Sequence, residues 1–484
     1  MKIAGIYHYD TQLDPKIQHA VSEPYGLEKI LAVAKAEGHD VELFLPLEEK
    51  FNSDKKEEKR GTEFQSLSEK ALSEKILKFE PDLACFSMYT CQFPAGKRIA
   101  QELKKKNPGL ITVAGNRYPS YLKDKVEMPF DFFVINEGEE TFKELLEKIN
   151  NGWNFKEVRG LAFYQDGKKL LTPSRPRIKD LDSFPLALRH PLIMKQAYQG
   201  ISLPPLSEKP AYALMEYSRG CPSACNFCDN EEVWQKQLTF RSPVKVVDEL
   251  FSLKEQGVDI FYFIDLNFAA SGRKVEQLCR EIIEHRVDVS WYCMSNIDSL
   301  HGKNDLMKLM KEAGCYKIAW GVESTDDTSL VKMNKKTSGR MLTNERARET
   351  LQASLEAGML NQGYYIIGFP WETASSIIGD AERLKELPLH QLNVGLFTPI
   401  PLSNFYDIAR GLDPDLEKHD RNTLVYQHPS LDNSTLKRIQ EEMHAQFYLS
   451  PEFKSRAEQL ISVDSRFKKA FDDYFQFLGK GVEI

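Results

Sequence analysis

No apolar run in the 484-residue sequence approaches the ~20 residues that a membrane-spanning helix needs, so no transmembrane segment is expected. A basic excess is also missing. Lys and Arg number 64 against 71 Asp and Glu, giving a formal net charge of −7, so bulk electrostatics draws the chain to neither nucleic acid nor anionic lipid, and no nucleic-acid partner is expected. The opening Met1-Lys2-Ile3-Ala4-Gly5-Ile6 meets His8-Tyr9-Asp10 too early for the apolar core of a signal peptide, and a cytoplasmic location is the expectation. Cysteine is scarce. Eight are present, unevenly placed, which argues against a disulfide framework, and three bunched within eight positions look like ligands in a reducing compartment.

Apolar residues make up 42% and aromatics 11%, enough for buried cores, and the length exceeds what one core usually serves. Over residues 1–150, short β-rich runs alternate with helical patterns, as in a parallel sheet with crossover helices. Strands are expected at Lys2–His8, Val41–Leu45, Leu83–Tyr89, Leu110–Ala114 and Phe132–Ile135, with helices at Leu27–Ala36, Leu67–Phe79 and Ala95–Lys106. The mixed-charge run Asp54–Arg60 reads as a solvated loop. Residues 151–205, broken by six prolines, read as linker. From 206 to 400 a second β/α series begins at Ala211–Tyr217 and continues through Ile260–Ile264, Val289–Met294, Tyr316–Val322, Gly363–Ile367 and Leu392–Thr398. Six pairs predict a partial (β/α)6 TIM-like barrel, which gathers functional groups at the strands' carboxyl ends. Residues 401–484 read as mostly helical, with Thr435–Phe447 and Phe467–Leu478 amphipathic. The fold class is α/β: a Rossmann-like sheet domain, a partial barrel and a helical end.

Directly after the first strand of the second series stands Ser218-Arg219-Gly220-Cys221-Pro222-Ser223-Ala224-Cys225-Asn226-Phe227-Cys228. Thiolates suit iron–sulfur clusters, zinc or cuprous copper. Structural zinc usually takes a second pair of ligands, and the nearest histidines, His190 and His285, are remote in sequence. Three thiolates on a four-iron cube leave one iron open, which is what a cluster that binds substrate requires.

The C-x3-C-x2-C loop after a first barrel strand, with aromatic Phe227 before its last cysteine, resembles the radical S-adenosylmethionine (SAM) superfamily. The resemblance implies that Cys221, Cys225 and Cys228 hold a 4Fe-4S cluster whose open iron chelates SAM. One electron then cleaves SAM to a 5′-deoxyadenosyl radical that abstracts hydrogen from an unactivated carbon. It further implies SAM contacts near Phe227, at Asp265 and Asn267 after the second strand, and at Ser295 and Asn296 after the third. Glu323 and Ser324 of Gly321-Val322-Glu323-Ser324, and Gly368 and Pro370 of Ile367-Gly368-Phe369-Pro370-Trp371-Glu372-Thr373, match later family segments. Asn296 departs from the pattern: many relatives carry Arg there.

Residues 81–142 resemble the cobalamin-binding domain that precedes the barrel in one branch of this superfamily, called class B where members are methylases. Ser87 and Thr90 after the third strand, Gly115 after the fourth, and Glu137 and Gly138 of Asn136-Glu137-Gly138-Glu139-Glu140-Thr141 are the implied cobalamin contacts. Gly115-Asn116-Arg117-Tyr118 is bulkier than the family's small-residue loop, and no D-x-H-x-x-G motif is present. Ile178–Pro185 resembles the usual hinge, and Phe447–Pro451 a late family segment.

These features imply a cobalamin-dependent C-methyltransferase using a 4Fe-4S cluster, SAM and cobalamin, a small-molecule or peptide substrate, and an electron donor such as flavodoxin or ferredoxin. Two other readings stay open. One is a non-methylating radical SAM epimerase, cyclase or ring-rearranging enzyme, for which Cys293 and Cys315 are candidate hydrogen-atom donors, although free cysteines inside folds are mostly small hydrophobes. The other is a non-catalytic iron–sulfur or metal-binding protein.

Overall fold

The computed structural model describes residues 1–8, 23–49, 64–121, 129–152, 154–190, 211–337 and 339–477. Asp54–Arg60 and Tyr9 lie outside them. The chain forms two compact units, residues 1–199 with 414–419, and residues 200–413 with 420–484.

The first unit is built on strands β1 (Lys2–Ile6), β2 (Asp40–Phe44), β3 (Leu83–Ser87), β4 (Ile111–Gly115), β5 (Phe132–Val134), β6 (Leu161–Gln165) and β7 (Lys168–Leu171), in spatial order β2-β1-β3-β4-β5-β6-β7. The first five are parallel, and β6 and β7 add an antiparallel edge. Strand order reverses at β1, which places a ligand crevice beside the carboxyl ends of β1 and β3. Helices α1 (Tyr25–Ala36), α2 (Glu69–Lys78), α3 (Phe93–Lys106), α4 (Arg117–Tyr121) and α5 (Glu139–Asn151) connect the strands. Their boundaries follow local chemistry. The Ser68 hydroxyl caps α2 by accepting from the Ala71 N–H at 3.2 Å, and after α3 the Asn107 side chain accepts from the Gly109 N–H at 3.2 Å.

The stretch 151–205, expected as linker, carries the β6–β7 hairpin. Asp166 and Gly167 take φ of 51° and 73°, the paired left-handed conformation of a tight hairpin turn, which Asp-Gly favours. The surrounding prolines masked this signal.

The second unit contains β8 (Tyr212–Met215), β9 (Ile260–Phe263), β10 (Ser290–Ser295), β11 (Cys315–Glu323), β12 (Leu360–Ile367) and β13 (Gln391–Leu396), all parallel and adjacent in chain order. Between them run α6 (Pro243–Glu255), α7 (Gly272–Glu284), α8 (Asn304–Glu312), α9 (Asn344–Glu356) and α10 (Ala374–Lys385). This is the open six-stranded sheet expected of a partial barrel. Helices α11 (Asn433–Tyr448), α12 (Pro451–Val463) and α13 (Arg466–Phe477) end the chain, while residues 401–432 hold only a short 3-10 turn at Leu416–Lys418.

The two faces of this sheet differ. Asn361 Nδ2 donates to Leu351 O on α9 at 2.8 Å and the Tyr365 hydroxyl to Asp380 Oδ2 on α10 at 2.9 Å, so odd-numbered residues of β12 face the helices. Through the register, Phe263, Cys293, Ile318 and Asn361 share that outer face, while Tyr262, Tyr292, Lys317 and Leu360 share the inner one.

Candidate active site

Cys221 is buried and Cys225 and Cys228 half-buried, all three unbridged, in the loop after β8. The loop is tied down at both ends. At its start, buried Asp265 at the end of β9 accepts the Tyr217 N–H at 3.1 Å and the Ser218 N–H and hydroxyl at 2.5 Å each. Burial pushes Asp265 up to about 7 against the lowering effect of these bonds. Farther on, the Asn226 N–H donates to Met333 O at 2.9 Å and its amide to Lys332 O at 2.8 Å, while Asn334 Nδ2 donates to Ala224 O at 2.6 Å. The Cys228 N–H closes a turn onto Cys225 O at 3.0 Å, and the ring of Phe227 packs edge-on to Phe369 at 6.4 Å.

Around this loop the structure gathers residues from the later strand ends. Asn296 Nδ2 donates to Ser223 Oγ at 3.0 Å, and Asn267 Oδ1 accepts from the Asn296 N–H and the Ser295 hydroxyl at 3.1 Å each. Lys335 is the residue that sequence reasoning missed. Its buried ammonium donates to Glu323 Oε1 at 2.7 Å and Asn296 Oδ1 at 3.3 Å and lies 5.9 Å from the Phe227 ring centroid. Burial would lower its pKa, but the Glu323 carboxylate and the sulfurs of Cys225 and Cys221 outweigh this and raise it. Burial raises the Cys225 thiol, and Lys335 pulls it the other way. A cation therefore stands beside two of the thiols.

Two glycines make room for this geometry. A Cβ on Gly321 would sit 2.5 Å from Glu323 Oε1 and 2.7 Å from Lys335 Nζ. Gly368, at φ 86°, opens the turn after β12, where buried Glu372 accepts the N–H groups of Gly368 at 2.7 Å and Phe369 at 2.9 Å. Pro370 lies within that turn, half-buried. Ser324 is turned to local structure, its hydroxyl accepting the Asp326 N–H at 3.1 Å.

Cys293 and Cys315, the candidate hydrogen-atom donors of a non-methylating enzyme, lie within β10 and β11. Both have no exposed surface and occupy the helix-facing side of the sheet, where the sulfurs approach each other and Cys279 of α7; burial first, and Cys315 next, raise the Cys293 thiol. Alternation along β10 turns Cys293 away from the inner face, and an irregularity in the β10–β11 register sets Cys315 opposite Trp291 on that same outer side.

In the first unit, the expected contacts divide. Ser87 Oγ accepts from Asn116 Nδ2 at 3.1 Å at the carboxyl edge of β3 and β4, Gly115 ends β4, and the Thr90 carbonyl accepts from the Phe93 N–H at the start of α3. Glu137 instead accepts from Arg177 Nε at 2.9 Å and the Ile178 N–H at 3.0 Å, both charges buried. A Cβ on Gly138 would stand 2.9 Å from Ile30 Cδ1, so this glycine serves close helix packing. The bulk after Gly115 is tucked away. Asn116, at φ 81°, turns the chain into α4, and Tyr118 is buried with its ring 5.0 Å from Phe93. Beside the switch point His8 is buried, its Nδ1 without a hydrogen-bond partner among the described residues, and burial lowers its pKa.

Residues 215–384 match the family model of the Radical SAM superfamily, and residues 19–146 match that of the B12 binding domain. The chain is a radical SAM enzyme with a B12-binding domain. This radical SAM enzyme is similar to an uncharacterized methyltransferase of Pyrococcus horikoshii, 24% identical over 436 residues and covering 88% of each chain. It is also similar to the anaerobic magnesium-protoporphyrin IX monomethyl ester cyclase of Rubrivivax gelatinosus, 26% identical over 433 residues, covering 86% of this chain and 76% of that one. Its fold is shared with the radical SAM methyltransferase TsrM of Kitasatospora setae, solved with cobalamin and a [4Fe-4S] cluster: TM-score 0.64 at 17% identity, covering 98% and 88% of the two chains.

The two domains imply a 4Fe-4S cluster, SAM and cobalamin as cofactors. The donor chemistry fits. Three soft thiols share one anchored loop with a cation beside them, a donor set suited to an iron–sulfur cluster. In the first unit Tyr118 is packed inward, and the buried His8 Nδ1, without a hydrogen-bond partner among the described residues, is a polar group at the strand edge. Among the described residues no helix is long and apolar enough to cross a membrane.

Proposed function

We propose that this enzyme transfers a methyl group from SAM, by way of cobalamin, to an unactivated carbon of a small-molecule or peptide substrate. The observation that carries the reading is the anchored three-thiol loop with Lys335 held against it, in a chain that also has a B12-binding domain. When bound, the cluster supplies one electron to SAM and cobalamin supplies a methyl carrier. Cys221, Cys225 and Cys228 hold the cluster; Asp265 and Asn226 fix their loop. Lys335, oriented by Glu323, pairs with the carboxylate of SAM and takes over the role of the arginine absent at Asn296. Asn267, Ser295 and Asn296 form the hydrogen-bonded rim beside it, and Phe227 with the Gly368–Glu372 turn closes the apolar side. Ser87, Thr90 and Gly115 border the corrin site. A flavodoxin- or ferredoxin-type donor supplies the electron.

The test is anaerobic reconstitution with iron, sulfide and hydroxocobalamin, followed by mass spectrometry of everything formed from methyl-labelled SAM. Label in a product together with 5′-deoxyadenosine is the expected result; 5′-deoxyadenosine without label in any product removes the methylase reading. A cyclisation remains the second reading, favoured by the cyclase among the relatives. Epimerisation through Cys293 or Cys315 is disfavoured by their burial on the helix side.

A further inference from the structure

Among the described strand residues the inner face of the second sheet carries few charges. Among its described strand residues Lys317 is the only charged side chain apart from Glu323, which is committed to Lys335 at the strand end. Lys317 has no exposed surface, and its Nζ has no hydrogen-bond partner among the described residues. It lies 4.1 Å from the ring centroid of Tyr292, the residue opposite it in register, and Tyr292 stacks on Tyr262 at 4.3 Å with the rings 4° from parallel. In the row of Lys317 the same face is partly exposed at Tyr262 and buried at Tyr292 and Leu360, and toward the carboxyl ends it is partly exposed at Met294, Tyr364 and Asn393.

A cation–π contact offsets only about 2 kcal/mol even when desolvated, while the effective penalty of burying an ion is several kcal/mol. Burial accordingly pulls the Lys317 ammonium down to about 7. Among the described strand residues no carboxylate on this face is left to pair with it, and such uncompensated buried groups concentrate at functional sites.

We infer that the floor of this barrel is an anion subsite and that the substrate is a flat or aromatic acid whose carboxylate or phosphate pairs with Lys317 while its ring packs on Tyr262 and Tyr292. This rests on the reading of the second sheet as the substrate-bearing barrel and names the substrate class. The acid enters from the open carboxyl-end side and displaces the Tyr292 ring from the ammonium to reach it.

Equilibrium dialysis of the anaerobically reconstituted holoenzyme against labelled benzoate, phenyl phosphate and benzamide tests this. One of the two acids is expected to bind at least about tenfold more tightly than neutral benzamide, as one desolvated charged pair provides, and which acid does so decides between carboxylate and phosphate. Lys317→Met should abolish that preference with iron content and benzamide binding unchanged, and Lys317→Arg should retain part of it. Equal binding of acid and amide, an undiminished preference in Lys317→Met, or no binding of either acid below about 10 mM overturns the inference. Substrate-free formation of 5′-deoxyadenosine by the same wild-type samples reports separately on the radical SAM reading.

Discussion

The two parallel sheets end in similar sequence signals and use them differently. In the first unit, Glu137-Gly138 after β5 turns inward: the carboxylate is buried against Arg177 and the glycine against Ile30. In the second, Gly321 and Glu323 at the end of β11 hold Lys335 at the rim of the cysteine loop. Both pairs are Gly and Glu at a strand's carboxyl end, and both carboxylates are buried and ion-paired. What separates a structural pair from a site pair is its surroundings: the Glu137 carboxylate also accepts the backbone N–H of Ile178, whereas two thiols stand beside the Lys335 ammonium.

Four experiments press on this contrast. The largest effect is expected where the thiols are removed: Ser at Cys221, Cys225 or Cys228 should eliminate bound iron and lower 5′-deoxyadenosine formation by at least about a thousandfold, because loss of the metal removes the reaction itself. Cys293→Ala and Cys315→Ala should keep iron and 5′-deoxyadenosine near wild type and show only the stability loss of a small buried cavity.

Next, Glu137→Ala strands the buried Arg177 and should lower the stability of the first unit by about 3–5 kcal/mol in urea melts, with iron content unchanged. Lys335→Met should behave in the opposite way, retaining iron and weakening SAM binding by about ten- to a hundredfold, the value of a charge-assisted contact. Equal effects of both variants on SAM affinity would erase the distinction between the two strand ends.

The glycines sharpen it further. Gly138→Ala should cost about 1–3 kcal/mol through overpacking against Ile30. Gly321→Ala forces the Glu323–Lys335 pair to shift and should raise the KM for SAM more than it lowers the melting temperature.

The smallest effect concerns pH. Burial pushes Glu372 up from 4.5 to about 8. Between those values the folded chain holds a proton that the unfolded chain has released, so its contribution to stability is full below about 4.5 and is lost as pH rises toward 8. Glu372→Gln, neutral throughout, should flatten that part of the decline in a series of thermal melts.

Much of the fold was legible because its causes are local. Alternating β and helical runs located all six strands of the second sheet and the five parallel strands of the first within a few residues, and the cysteine loop stood out by its spacing, its aromatic Phe227 and its place after a strand. The β6–β7 hairpin was legible too, in Asp166-Gly167, but was overshadowed by the flanking prolines. Lys335 was not. In Asn334-Lys335-Lys336 it looks like any solvated charge, and the short helix Asp327–Lys332 is what returns it to Glu323, twelve positions earlier. The parity of β10 could have placed Cys293 opposite in face to Tyr292, but knowing which face is inner required the contacts of β12 with α9 and α10.

By itself, then, the sequence determined the chemistry on offer: three thiols in one loop, two parallel sheets, no excess of positive charge. Only the tertiary structure decided which of the remaining polar groups face that chemistry. Covalent spacing fixes what neighbours along a chain can do together, whereas the environment of a buried charge is set by strands and helices packed from distant parts of the sequence, and this separates Lys335 from Arg177 and Cys225 from Cys293.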